Sequence, residues 1–536
     1  MTKRVVGVIA AVLAASCARG ALDQSSAIVP ITPFADSCPQ IGTPGTLTKL
    51  RAFPDDLPKL FGTFGPCRLL LTSGSTPPAP LWLSDGTPDG TQSVADRFDW
   101  GLDYRMLGRT AVFSTLWRTD GTSAGSFALG DGLHDPFGSA SLADTATLGD
   151  TMLFEATADV FSDPAEAKHG YELWRTDGTQ AGTFMAAELI AGAEPMYGGP
   201  SGLIALNGAV LFSSTDGDLW RSDGTAAGTS RIAPVRKRAG AILDGALLFV
   251  GGPHDASGKV TSVGLWRTDG TEAGTTLLQD LGTPNAEHAS FYVGTDTFAL
   301  VPLGDRMIVL AAPGWPDVTV ENGTVFPPGP PIDAVWLTDG TAAGTHFVTE
   351  LPEYERYTTP FNARVLNGAV LFGSSAQSAA PDHRSLWRTD GTAAGTAALA
   401  PLYGFLDVDA ANRNVFFAAA TPESGREIWV SDGTAANTHL VKDINPGPAD
   451  ALYTNNTGRI SAAVGRGIIV EASDGTHGPE PWFSDGTAAG TKLIADIFPG
   501  TQGAAFGPPT AMNGAAYFMA TSSAPRGYAL WRFDPP

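Results

Sequence analysis

One hexapeptide, Trp-x-Ser/Thr-Asp-Gly-Thr, constrains this chain more than any other feature, because it recurs nine times. Its tryptophans are Trp82, Trp117, Trp174, Trp220, Trp266, Trp336, Trp387, Trp429 and Trp482, and a degenerate tenth copy is Leu530-Trp531-Arg532-Phe533-Asp534. From Trp82 to Trp531 is 449 residues over nine intervals, about 50 per unit. A fixed period of that length marks an array of one supersecondary unit.

Each unit reads as four short strands. The first ends in a tight turn, as at Asn207-Gly208, Asp244-Gly245, Asn367-Gly368 and Asn513-Gly514. Such pairs favour the type I′ turn, whose two central residues need positive φ. A buried second strand follows, as in Ala209-Val210-Leu211-Phe212, then a loop of variable length. The third strand carries Leu-Trp, two bulky neighbours that point to opposite faces. The Asp-Gly-Thr turn leads into a fourth strand, of which Lys492 to Ile497 is a clear example. After the Trp stands Arg in six copies and Leu, Val or Phe in four. An Arg there can lay its stem on apolar surface and keep its head in water, which marks an edge and not an anion site.

Four strands in about 50 residues is the size of a propeller blade. The expectation is an all-β fold, a propeller of about ten four-stranded blades in one ring over residues 44–536. Two smaller propellers in tandem are the alternative. The last unit stops at Asp534-Pro535-Pro536, after its third strand. Residues 45–54 resemble residues 490–499, so the N-terminal segment is expected to supply the missing strand and close the ring. One clasp, with no comparable linker inside the chain, favours the single ring.

The units resemble the ELWxxDGT repeat family of bacterial surface proteins, as in Tyr171-Glu172-Leu173-Trp174-Arg175-Thr176-Asp177-Gly178-Thr179. The leading Glu stands at Glu172 and Glu427. The resemblance implies a propeller and implies little about activity. The turn also resembles the Asp-box of sialidase-type propellers, with different spacing.

The nine motif carboxylates are Asp85, Asp120, Asp177, Asp223, Asp269, Asp339, Asp390, Asp432 and Asp485. A short Asp side chain can accept backbone N–H groups of its own turn. A residue present once per blade is therefore read as a structural device. No cofactor is expected. Metal binding stays open, with calcium considered near Asp216 and Asp218 or near Asp407 and Asp409.

The formal net charge of −22 argues against nucleic acid as a partner. Lys3 and Arg4, then the apolar run Val5 to Ala15, then Ala14-Ala15-Ser16-Cys17, read as an export signal over residues 1–16. The end of that run resembles a bacterial lipobox. Cys17 is then the lipid-attachment residue, residues 17–43 a linker, and a membrane the partner of the anchor. Ala14 stands where that pattern usually has Leu, and plain secretion or a buried N-terminal helix are the alternatives. No later segment is long and apolar enough to cross a membrane as a helix. Cys38 and Cys67 remain, and two cysteines of an exported chain are expected to pair across the clasp strand.

No constellation for catalysis stands out. The eight His show no metal-ligand spacing, and there is no Gly-x-Ser-x-Gly elbow or phosphate-binding loop. Asp-Gly-Thr turns fall on one rim, while the loops between second and third strands and the blade crossovers share the opposite face. The longest of these loops runs from Ala311 to Ile332 and holds Trp315, a candidate for stacking on a sugar or peptide. Another runs from Ala158 to Gly170. The expected function is a surface-anchored binding or scaffold protein with a glycan, peptide or protein ligand. A glycan-active hydrolase and a purely structural envelope protein are the alternatives.

Overall fold

The computed structural model describes residues 38, 42–53, 58–74, 78–98, 103–130, 141–156, 171–189, 199–214, 216–254, 261–282, 298–311, 319–321, 324–326, 334–351, 361–374, 385–401, 403–452, 461–504, 507–523 and 527–536. Their strands form ten four-stranded antiparallel sheets arranged as the blades of one ring. Blade 4 shows the pattern: Ser201–Leu206, Ala209–Ser213, Leu219–Ser222 and Ser230–Ala233, paired in chain order. Blade 6 carries an additional hairpin, Thr319–Glu321 with Thr324–Phe326, between its second and third strands.

First strands of most successive blades touch one another, which places them innermost around the ring. Lys59–Thr63 of blade 1 touches Thr510–Met512 of blade 10, so the ring closes. The core is divided by interface. One apolar cluster joins blades 2 and 3 through Leu107, Phe154 and Trp174. Another joins blades 3 and 4 through Leu173, Leu203 and Phe212, and so on around to Leu71, Tyr517 and Leu530 between blades 1 and 10. Leu173 thus faces the following blade and Trp174 the preceding one, which is why both can be bulky.

The hairpin turns carry the expected backbone. Asn207, Asp244, Asn367 and Asn513 have φ between 46° and 49°, and the glycines that follow them between 72° and 76°.

Pairing between third and fourth strands slips at the Leu-Trp step. In blade 4, Leu219 faces Ala233 and Trp220 faces Arg231, which leaves Ile232 as a bulge. The same slip bulges Val94, Ala186, Leu278, Val348, Leu399 and Val441. All are apolar and all join the interface clusters. The bulge thus turns a residue of the outermost strand back into the core.

Thr46–Phe53 is the outermost strand of blade 10, antiparallel to Gly527–Asp534, with Lys49 opposite Trp531. It repeats the slip, because Arg51 faces Leu530 and the bulged Leu50 is buried. Cys38 and Cys67 are joined by a disulfide with Cα atoms 4.8 Å apart, tying the clasp to blade 1. The fourth strand of blade 9 is shorter than the sequence suggests, only Lys492–Leu493. Ile494 donates to the Pro481 carbonyl at 2.9 Å, and Pro481 has no N–H to continue the ladder.

Candidate functional site

Two faces must be weighed as sites: the rim of Asp-Gly-Thr turns and the loop face opposite. In all nine rim turns the Asp Oδ1 accepts the Thr amide at 2.8–3.0 Å and the Thr hydroxyl at 2.6–2.7 Å. The Thr hydroxyl in turn accepts a glycine amide three residues on, at 3.0 Å in Asp223's turn. These bonds hold the carboxyls of Asp177, Asp223, Asp269, Asp339, Asp390 and Asp432 below their ordinary value, with the Thr hydroxyl as the main cause. Each Asp is used inside its own turn.

The second glycine of the motif has a steric reason. A Cβ on Gly90, Gly125, Gly182, Gly228, Gly274, Gly344, Gly395 or Gly490 would lie inside the motif carboxylate. The eighth copy, at Asp432, departs from this. Asn437 replaces the glycine, the turn tightens into a 3₁₀ segment at Ala435–Asn437, and Asn437 donates to Asp432 Oδ2 at 2.7 Å.

The recurrent Arg corrects the reading that keeps its head in water. Arg118 donates to the Gly178 carbonyl at 2.8 Å, Arg175 to Gly224 at 3.2 Å and Arg532 to Gly86 at 3.2 Å. Each of these three reaches the motif glycine of the following blade, whereas Arg388 donates to Gly395 of its own turn.

The tenth turn is assembled from both ends of the chain. Asp534 stands at the motif Asp position, and its Oδ1 accepts the Gly42 amide at 2.9 Å. Its carbonyl accepts the Gly45 amide at 2.7 Å, and Arg532 donates to the carboxylate at 2.7 Å.

On the loop face, buried glutamates anchor crossovers. Glu172 accepts the Leu189 amide at 2.7 Å and Glu427 the Asn445 amide at 3.0 Å. Glu480 does the same with the amides of Ile497, Phe498 and Ala504 at 3.0–3.1 Å. The sequence reading recognises Glu172 and Glu427 but misses Glu480, because Pro481 replaces the Leu between Glu and Trp. Its signal was the Glu two residues before Trp482. Burial pushes Glu427 up to about 7 and raises Glu480 as well.

A denser polar group lies at the loop-face ends of blades 3 to 5. Asp218 is buried, and its carboxylate binds His254 Nε2 at 2.8 Å and the Arg231 guanidinium. Asp216 accepts the Ser214 hydroxyl and the Asp218 amide. The oxygens considered for calcium at Asp216 and Asp218 are thus engaged by groups of the chain itself. Asp407 and Asp409 lie on the first strand of blade 8, Tyr403–Ala411, and their side chains fall outside the described residues, as do Cys17, Trp315 and the loop from Ala158 to Gly170. No group of three or more His, Cys, Asp or Glu able to hold a metal occurs among the described residues.

The site and ring together define a closed ten-bladed propeller with one repeated and one irregular face. No family model matches the chain, and no curated protein matches it. Among solved structures it is similar to the computationally designed Ika8 protein, at 12% identity over 81% of this chain and 99% of that one, with a TM-score of 0.36. It is similar to a puromycin hydrolase at 15% identity and a TM-score of 0.32, over 70% of this chain and 57% of that one. BamB from Moraxella catarrhalis shares 12% identity over 74% of this chain and 93% of that one, with a TM-score of 0.27. The ring assignment rests on this chain's own strand pairing and not on these distant likenesses.

Proposed function

We propose that the protein is an exported, lipid-anchored surface propeller of the ELWxxDGT type that binds its ligand on the loop face. One observation carries this reading: all nine rim turns spend their functional groups on themselves, whereas the loop face carries connections of different length and sequence. Variable loops on a rigid scaffold are where recognition usually resides. The export reading is supported by the basic, apolar and small-residue order of residues 3–17. The ligand classes that suit it are a glycan, a peptide or a protein.

The test is a glycan and peptide array probed with the wild type and Trp315→Ala. Binding lost in the variant supports the Ala311 to Ile332 loop as the site. Turnover of an arrayed glycan, abolished by one carboxylate substitution, replaces binding with hydrolysis. Absence of any binding replaces it with a structural envelope role. Anchoring is tested separately: Cys17→Ser should move the protein from the membrane fraction to the soluble fraction, and unchanged partition removes the lipid.

A further inference from the structure

Lys237 lies on the innermost strand of blade 5, Val235–Leu243, near its loop-face end. It is 5% exposed. Its main chain is fixed by Ser213, whose hydroxyl bonds both its amide and its carbonyl at 3.0 Å. The side chain extends over the inner strand of blade 4 and lays its ammonium on Gly202, where any Cβ would collide with Nζ. Farther along, Asp144 of blade 3 accepts the amides of Gly202 and of Leu203, the latter at 2.8 Å. Three inner strands thus converge on one point of the channel wall.

The ammonium itself is left without an acceptor. Among the described residues no hydrogen bond or ion pair reaches Nζ, and Asp144 acts on it only as a nearby charge. Burial accordingly pushes the amine down to about 8. The residue is buried, while its ammonium, which makes no bond to the described residues, is not among the fully buried unpaired atoms, so its donors are open to an acceptor brought from outside. The surroundings favour an anion as that acceptor. The Asp218 carboxylate is already engaged by the Arg231 guanidinium and His254 Nε2. Burial also pushes Glu155 up to about 7, which lowers the opposing negative charge at neutral pH.

We propose that the loop-face mouth of the channel across blades 3 to 5 binds an oxoanion, the carboxylate or sulfate of an acidic ligand, with Lys237 Nζ as the donor that fixes it. This deepens the reading that the loop face binds, and it rests on it. Gly202 is then the residue that makes room for the ammonium, and Asp144 the one that holds Gly202 and Leu203 in place.

The experiment titrates full-length protein with D-glucuronate, sodium sulfate and D-glucose, followed by calorimetry and by NMR of lysine ε-carbons. The Lys237 resonance is assigned from Lys237→Met. Glucuronate or sulfate should bind the wild type, raise the Lys237 titration midpoint by about one pH unit, and bind Lys237→Met at least about tenfold more weakly. Glucose should do neither. Sulfate acting alone identifies a free oxoanion, and glucuronate acting alone a sugar acid. Equal binding to both proteins, or an unmoved Lys237 midpoint with every acidic probe, overturns the proposal. If Lys237→Met fails to fold, Lys237→Arg supplies the assignment and the wild-type midpoint stands as the readout. Array binding that depends on Trp315 while Lys237 stays silent sinks this site and keeps the loop face. Silence in both sinks both.

Discussion

The rim and the loop face of this ring are built from similar side chains put to opposite uses. On the rim, an Asp, a Gly and a Thr repeat nine times, with a second glycine in eight, and the carboxylate is engaged within its own turn while Arg side chains make the links to the next blade. On the loop face, carboxylates reach across sequence: Glu480 holds amides 17 to 24 residues away, and Asp144 holds those of Gly202 and Leu203 in the next blade. The rim teaches that a frequent acidic residue is a fold device when its acceptor capacity is filled locally. The loop face teaches that a polar group without a repeat, such as Lys237, takes its meaning from neighbours in other blades.

That contrast breaks most sharply at the one rim turn that is not local. Asp534 and Arg532 form a pair with side chains 2% and 9% exposed, and Asp534 also holds Gly42 across the chain ends. Breaking a buried pair by deleting one partner costs about 3–5 kcal/mol. Asp534→Ala should therefore lower unfolding stability by about that amount in denaturant titration, while Asp339→Ala on the exposed rim should cost far less. Equal losses would show that closure adds nothing to the turn.

On the loop face, Glu480→Ala should cost roughly 3 kcal/mol, because it leaves three amides without their acceptor. Calorimetric unfolding reads this, and amide exchange should quicken at Ile497, Phe498 and Ala504. Slow exchange in the variant would mean that backbone packing and not Glu480 holds the crossover.

The fold was legible because a few signals recur along the chain: the Trp-x-Ser/Thr-Asp-Gly-Thr hexapeptide in nine of ten blades, an apolar second strand, and an Asn-Gly or Asp-Gly turn in four. The clasp was legible from the likeness of residues 45–54 to 490–499. The bulged residues, such as Ile232 and Leu50, were not, since a register slip leaves composition unchanged. The tenth turn read as degenerate because its Asp and its glycines stand at opposite ends of the chain. Glu480 was hidden by Pro481. Lys237 was hidden because a site residue has no period to reveal it, and its meaning depends on Gly202 and Asp144 of two other blades.

A smaller effect sharpens the steric half of the rim argument. Gly228→Ala forces a Cβ into the Asp223 carboxylate, a displacement expected to cost about 1–3 kcal/mol. Asn437→Gly should be nearly neutral, because that copy has already rebuilt its turn around Asp432. A double-mutant cycle joining Gly228→Ala to Asp223→Ala checks the cause: strong coupling is expected, and additive losses would place the cost elsewhere.

The smallest effect separates the faces by pH. The rim carboxyls of Asp177, Asp223, Asp269, Asp339, Asp390 and Asp432 are held below their ordinary value of 3.8. Their stabilising share is complete above about pH 4 and is lost as pH falls through their folded values. Glu155 and Glu427 are pushed the other way, from 4.5 up to about 7, and Glu480 also upward. Their share is complete below about pH 4.5 and is lost as pH rises through about 7. His477, raised by its bond to Asp474, adds to that loss. Stability measured by urea titration from pH 3 to 7.5 should peak between about pH 4 and 5, and each titrating proton contributes at most about 1.4 kcal/mol per pH unit. Glu427→Gln should flatten the neutral limb and leave the acid limb alone, whereas Asp223→Asn should do the reverse. Stability that climbs steadily from pH 4.5 to 7 would show that the buried glutamates stay ionised on the loop face, and that both faces handle their carboxylates alike.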